Sequence, residues 1–246
     1  TEIFDGDTIE IFSIEENEYG YPIYYTIDGS DPTINSNFYS GPININETTV
    51  LRASVEHPSC FSSGISTSSF LIIQDINLPI ISLSTNPDNF WDWETGIYVM
   101  GPNASSDYPY FGANFWEDWE RPIHFEILEL DGSGYSANAG AKIFGGWSRG
   151  FPQKSLSIFA RNQYGPNQFD YSFFPELSFS TYESFVLRNS GNDWESTMMR
   201  DGFITTIADS LDVDHQQYRP AVLYLNGDYW GIQNIREKVS EHFIAY

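Results

Sequence analysis

The 246-residue chain carries a formal net charge of -23, with 34 acidic and 11 basic residues, which argues against nucleic acid and anionic membrane surfaces, of the same sign, as partners. Its 41% hydrophobic and 17% aromatic content can bury one large core or two modest ones, yet its longest apolar runs, such as Phe70–Ile73 and Ala221–Leu225, fall far short of the ~18–20 residues a membrane span requires. A single cysteine, Cys60, excludes an internal disulfide and reads as a small half-buried residue.

The opening Thr-Glu-Ile-Phe, without initiator methionine or apolar leader, reads as a processed or excised piece. Residues 1–77 alternate short β-type runs with turns, which predicts a small all-β sandwich. Strands are expected at Tyr21–Ile27, Thr48–Val55 and Ser69–Ile73, with a turn at Asp28-Gly-Ser-Asp-Pro32. Tyr19, Tyr21, Tyr24, Tyr25, Phe38 and Tyr39 either stack on sugar rings or, by alternation, face the sandwich core. Asp5-Gly-Asp7, Asp28-Gly-Ser-Asp31 and Asp131-Gly-Ser-Gly134 read either as ordinary turns or as calcium sites, and none has the spacing of an EF-hand loop.

Asp75–Pro79 reads as a linker to a second unit, residues 78–246. Ile80–Leu83 is a short strand, and residues 101–119 form a long loop pinned by its aromatic rings. Arg121–Leu130, Tyr135–Phe144 and Lys154–Ala160 are expected to be three consecutive antiparallel strands. The last two are joined by a loop containing Gly145, Gly146 and Gly150, which lets the backbone approach a ligand closely. Lys154 shares a strand face with Leu156 and Ile158, so it is either a lysine whose stem covers the strand end or a cation aimed at an anion. Ser184–Asn189 is a further strand. One helix is expected over Trp194–Leu211, because Met199, Phe203, Ile204, Ile207, Ala208 and Leu211 recur at three and four, with Asn192 and Glu195 as its capping box. Asn226-Gly227 predicts a tight hairpin over 221–235, and Ser240 an N-cap for another helix.

Two resemblances follow from these motifs. Ile23-Tyr-Tyr-Thr-Ile-Asp-Gly-Ser-Asp-Pro-Thr33, with Tyr39–Ile43 and Val50–Ala53, resembles the chitobiase/β-hexosaminidase C-terminal domain, an immunoglobulin-like module expected here as a spacer. Gly146–Ser155, Leu187–Asp193, Met198–Asp201, Leu223–Ile232 and Arg236-Glu237 resemble the spore-coat protein H (CotH) kinase family. Together they imply an α+β chain: an immunoglobulin-like sandwich, then an atypical-kinase-like N-lobe made of an antiparallel sheet plus one main helix, truncated before the C-lobe. The CotH resemblance implies ATP with Mg or Mn as cofactors, a secreted or surface protein of bacterial type, and a secreted protein as substrate. It further implies that Lys154, Ser148 and Arg149 lie at the phosphates, that Arg200 and Asp201 serve the ion pairs around the lysine, and that Ile235–Val239, including Glu237, forms the hinge beside adenine. No His-Arg-Asp or Asp-Phe-Gly equivalent occurs, and Asp193, Asp209, Asp212 and Asp214 form no recognisable pair, so the catalytic carboxylates are expected beyond Tyr246. The alternative function is a non-enzymatic surface or matrix protein whose modules bind glycans or act as spacers.

Overall fold

The computed structural model describes residues 6–13, 20–56, 63–73, 76–208, 210, 211 and 213–240. The readings of Asp5, Tyr19, Cys60, Asp75, Asp209 and Asp212, and of the helix after Ser240, lie outside these residues.

Among the described residues the N-terminal part is all β. Strands β1 (Asp7–Ile9) and β4 (Ile43–Ile45) pair antiparallel, while β2 (Ile23–Thr26), β3 (Asn37–Phe38), β5 (Thr49–Val55) and β6 (Ser66–Phe70) form a second antiparallel sheet in the order β3-β2-β5-β6. Ile9, Ile45 and Leu51 close a small core between them, with Tyr25 and Phe70 partly buried against it. The Asp28 carboxylate accepts hydrogen bonds from the Ser30 amide (3.0 Å) and hydroxyl (2.6 Å), and Asp131 does the same for Ser133, so both carboxylates are engaged in their own turns. Positive φ at Gly29 completes the first of these turns.

From Ile80 onward the chain forms a closed seven-stranded barrel. Its strands are β7 (Ile80–Ser84), β8 (Arg121–Leu128), β9 (Gly134–Phe144), β10 (Ser155–Phe159), β13 (Ser184–Arg188), β14 (Tyr218–Leu225) and β15 (Asp228–Glu237), in the order β10-β13-β15-β14-β7-β8-β9. A separate small hairpin pairs β11 (Phe169–Asp170) with β12 (Thr181–Tyr182). The three consecutive strands and the Asn226-Gly227 hairpin stand where the sequence places them, with positive φ at both turn residues. Closure is the difference from an open antiparallel sheet: β7 pairs antiparallel with β8 and parallel with β14, joining the two ends. Inside, Phe125, Phe169, Phe173 and Phe185 form a ring cluster with centroids 4.5–6.0 Å apart. Strand β9 lines the same core with Ala137, Ala139 and Ala141, small side chains that leave room for those rings.

Leu71 joins Ile80, Val222 and Tyr224 in a third buried cluster, so the N-terminal part meets the barrel through apolar contact. The Ser69 and Ser82 hydroxyls lie 2.8 Å apart, and the Ser69 amide donates to Glu126 Oε2 at 2.9 Å.

Helix formation departs from the sequence expectation. After the single turn α1 (Asp88–Trp91), the main helix α2 spans only Arg200–Ala208. Residues 191–193 form a 3-10 turn, Met198 takes φ 55°, and Asp193 rather than Asn192 caps the helix by accepting the amides of Met199 (3.1 Å) and Arg200 (3.0 Å). Its expected buried stripe faces outward: Met199, Phe203, Ile204, Ile207 and Leu211 are all exposed, and Gly202 is the buried contact. The reason is Tyr218, whose ring packs on Gly202 so closely that a Cβ there would lie 2.4 Å from Cε2. Alanine would favour an isolated helix by about 1 kcal/mol over glycine. Here Gly202→Ala should instead lower stability by roughly 1–3 kcal/mol through overpacking. Urea unfolding checks this; equal or higher stability would mean that the ring gives way.

Candidate functional site

The link from β9 to β10 starts at Gly145, whose φ of +109° suits glycine, and continues as a 3-10 turn over Trp147–Gly150. This glycine loop faces the segment that joins β13 to α2, where Ser190 and Gly191 both have positive φ. Between them is a groove of about 530 Å³, lined by Gly145, Gly146, Trp147 and Ser148 on one side and by Arg188, Gly191, Asp193, Arg200 and Asp201 on the other.

Charge is organised around two carboxylates. Asp201 Oδ2 accepts hydrogen bonds from Arg188 Nε at 2.7 Å and from Arg236 Nη1 at 2.9 Å, so the end of β13, the start of α2 and the end of β15 meet on one oxygen. Arg188 is about one-third exposed toward the groove, whereas Arg236 is buried. Asp193 Oδ2 takes the Thr197 hydroxyl and the amides of Met199 and Arg200, while its Oδ1 lies 3.0 Å from Arg200 Nη2. The Thr197 hydroxyl first, then the Arg200 amide and charge, hold the Asp193 carboxyl down to about 2. The Arg200 side chain is 61% exposed while its guanidinium pairs with Asp193.

A second hollow of about 250 Å³ shares Arg188 and Asp201 with the first as lining and adds Phe144, Val186, Arg236, Lys238 and Val239. A larger hollow, about 650 Å³, lies between residues 73–80 and the β8–β9 turn; its polar side chains are Glu126, Glu129, Tyr135 and Ser136, with no cation. The cationic pair of hollows is therefore the better candidate for an anionic ligand.

The six residues singled out from the sequence do not all converge. Ser148, Arg200 and Asp201 line the groove. Lys154 does not stand at a rim. It is 5% exposed, its Nζ donates to the carbonyls of Arg149 (2.8 Å) and Phe151 (2.9 Å), and it rests 4.0 Å from the Phe115 ring centroid. Burial draws its amine down to about 8. Its strand phase, shared with Leu156 and Ile158, carries it into the interior rather than to the edge. Arg149 turns the same way, donating from Nε to Gly145 O (2.6 Å) and from Nη1 to Phe115 O (3.1 Å) over the Trp116 ring. Glu237 is buried at the base of β14, where Oε2 accepts the Gln217 amide at 2.9 Å, and burial pushes its carboxyl up. Sequence reasoning gave no role to Arg188 or Arg236. For Arg188 the signal was a charged residue ending the apolar run Phe-Val-Leu-Arg188; Arg236, in the polar stretch Gln233-Asn-Ile-Arg-Glu237, gave none.

No curated protein matches the chain. Residues 9–70 match the family model described as Fn3 associated, and residues 141–246, which hold the glycine loop, Arg188, α2 and Arg236, match that of the CotH kinase protein family.

Proposed function

We propose that the groove binds the phosphates of a nucleotide and that residues 78–246 form the nucleotide-holding N-terminal part of a CotH-type kinase domain. The observation that carries the reading is the Arg188–Asp201 pair. In protein kinases a glycine loop covers the phosphates, the phosphate-holding cation stands on the third strand, and it pairs with a carboxylate on the following helix. Counting barrel strands alone, from β9 as the first and leaving out the separate β11–β12 hairpin, the glycine loop, β10, β13 with Arg188 as the third, α2 with Asp201, β14 and β15 follow in that sequence. Arginine replaces lysine, which gives a planar fork suited to phosphate oxygens.

Charge supports the same assignment. Arg188, Arg200, Arg236 and Lys238 outnumber Asp193 and Asp201 in the lining of the two neighbouring hollows of a protein whose net charge is -23, a local reversal of sign that attracts an anion. Phe144, Val186 and Val239 give the smaller hollow an apolar portion fit for a base beside the main chain of Ile235–Val239. For a divalent metal the fit is poor: among the described residues no group of three or more His, Cys, Asp or Glu is placed to hold one, and Asp193 and Asp201 are committed to arginines and amides.

On the same reading the N-terminal part is an immunoglobulin-like module of the chitobiase C-terminal type, supported by its two packed β-sheets. The protein is then a secreted or surface kinase acting on a protein hydroxyl, for which its pervasive acidity is the support. Calorimetry with ATP tests the core of the proposal. Wild-type protein should bind, and Arg188→Met should weaken binding by about 1.5–3 kcal/mol, the range for a hydrogen bond to a charged group. Equal affinity in the variant, or no binding by the wild type, would remove the nucleotide reading.

A further inference from the structure

We infer that the glycine loop is a preformed cradle, held from behind by Lys154 and Arg149, and not a flap that closes over its ligand. The inference rests on the nucleotide reading only for the identity of the anion. Its basis is the direction in which two cations spend their hydrogen bonds. Lys154 Nζ takes the carbonyls of Arg149 and Phe151, and Arg149 Nε takes the carbonyl of Gly145, so the entrance, middle and exit of the loop are each gripped by a charged donor. Neither residue has an ion pair among the described residues; Phe115 and Trp116 rings face the two charges instead.

Further contacts fix the same segment. The Tyr108 hydroxyl donates to Trp147 O at 2.7 Å, and its ring covers Gly150 so closely that a Cβ there would lie 2.6 Å from Cε2. Beyond the loop, Gln153 Nε2 donates to Trp230 O and Ile232 O on β15, Asn189 Nδ2 donates to Gln153 O, and the Lys154 amide donates to the Tyr98 hydroxyl. The exit is thus tied to β13, to β15 and to residues 85–120.

The grip has a consequence for binding. The Gly145–Gly146 peptide is trans, so drawing the Gly145 carbonyl back toward Arg149 turns the Gly146 N–H the opposite way, and Gly146 is one of the residues that line the groove. A main-chain donor is thereby aimed at an anion before one arrives, which lowers the ordering cost of binding. Lys154 and Arg149 act through the loop as positioning residues.

Backbone hydrogen exchange on the ligand-free protein tests this at Arg149 and Phe151, whose amides donate to Gly146 O (3.0 Å) and Ser148 O (3.2 Å). In the wild type both should exchange slowly, and saturating ATP should change them less than threefold. Lys154→Met and, separately, Arg149→Met should speed them at least tenfold while β10 amides stay as they were, and ATP affinity should fall with them. Unprotected exchange in the wild type, a slowing of tenfold or more on ATP addition, or unaltered exchange in the variants would each overturn the cradle. If Lys154→Met does not fold, the wild-type measurement and Arg149→Met still decide. A protected loop that the variants loosen, in a protein that binds no ATP, would leave the cradle standing and reject the nucleotide reading alone.

Discussion

Asp201→Ala is expected to cost about 3 kcal/mol of folding stability as well as nucleotide binding, a larger effect than loss of any single groove arginine. One oxygen, Asp201 Oδ2, neutralises both Arg188 and Arg236. The Arg236 side chain is 3% exposed, and its Nε has no partner, so without the carboxylate a buried charge is left facing a like charge on Arg188. Removing one member of a buried pair typically costs 3–5 kcal/mol, and the one-third exposure of Asp201 places this case at the lower end. Asp201→Asn keeps the shape and one acceptor and should lose less. Combining Asp201→Ala with Arg236→Met removes the stranded charge and should restore much of the stability without restoring binding. Urea unfolding of the three variants checks the order. A loss below 1 kcal/mol for Asp201→Ala would show that water already reaches Arg236 and that the three-way junction does not hold the helix.

What the sequence made legible was mostly local. Period two in Arg121–Leu130 and Tyr135–Phe144, and the Asn226-Gly227 pair, report backbone choices made within a few residues, and those strands and that hairpin are present. Barrel closure was not legible, because β7 is five residues long and buried throughout, so it shows no alternation, and its parallel partner β14 is far away in the chain. The stripe on residues 199–211 misled for a related reason. Periodicity identifies a face but not its neighbour, and the neighbour of α2 is a tyrosine ring that accepts only glycine. The site divides in the same way. A glycine loop followed by a lysine could be read, but which way the lysine turns depends on Tyr98 and on Phe115, the latter supplied by a long loop without periodicity. Arg188 and Asp201 are thirteen residues apart and become partners only once β13 and α2 are in place.

Raising the pH from 8 to 10.5 should stabilise the protein through Lys154 by about 3 kcal/mol. In the folded protein burial draws the amine from its ordinary 10.5 down to about 8. Each pH unit of such a difference corresponds to about 1.36 kcal/mol. Below pH 8 both folded and unfolded chains carry the proton, and folding bears the full penalty of placing an ammonium beside Phe115. Between pH 8 and 10.5 the unfolded chain keeps a proton that the folded protein has released, so unfolding takes up a proton and stability rises with pH. Above 10.5 both forms are neutral and the gain is complete. The neutral amine still has two hydrogens for the two carbonyls it serves, so the glycine loop keeps its tether across the window. Tyrosines also titrate near the upper end, and Lys154→Met, which removes only the amine, supplies the reference that cancels them. The difference in unfolding free energy, wild type minus Lys154→Met, should therefore climb by about 3 kcal/mol from pH 7.5 to 10.5. A flat or falling difference would mean that the carbonyls and ring faces keep the ammonium charged against desolvation, and that Lys154 holds the loop as a full cation throughout.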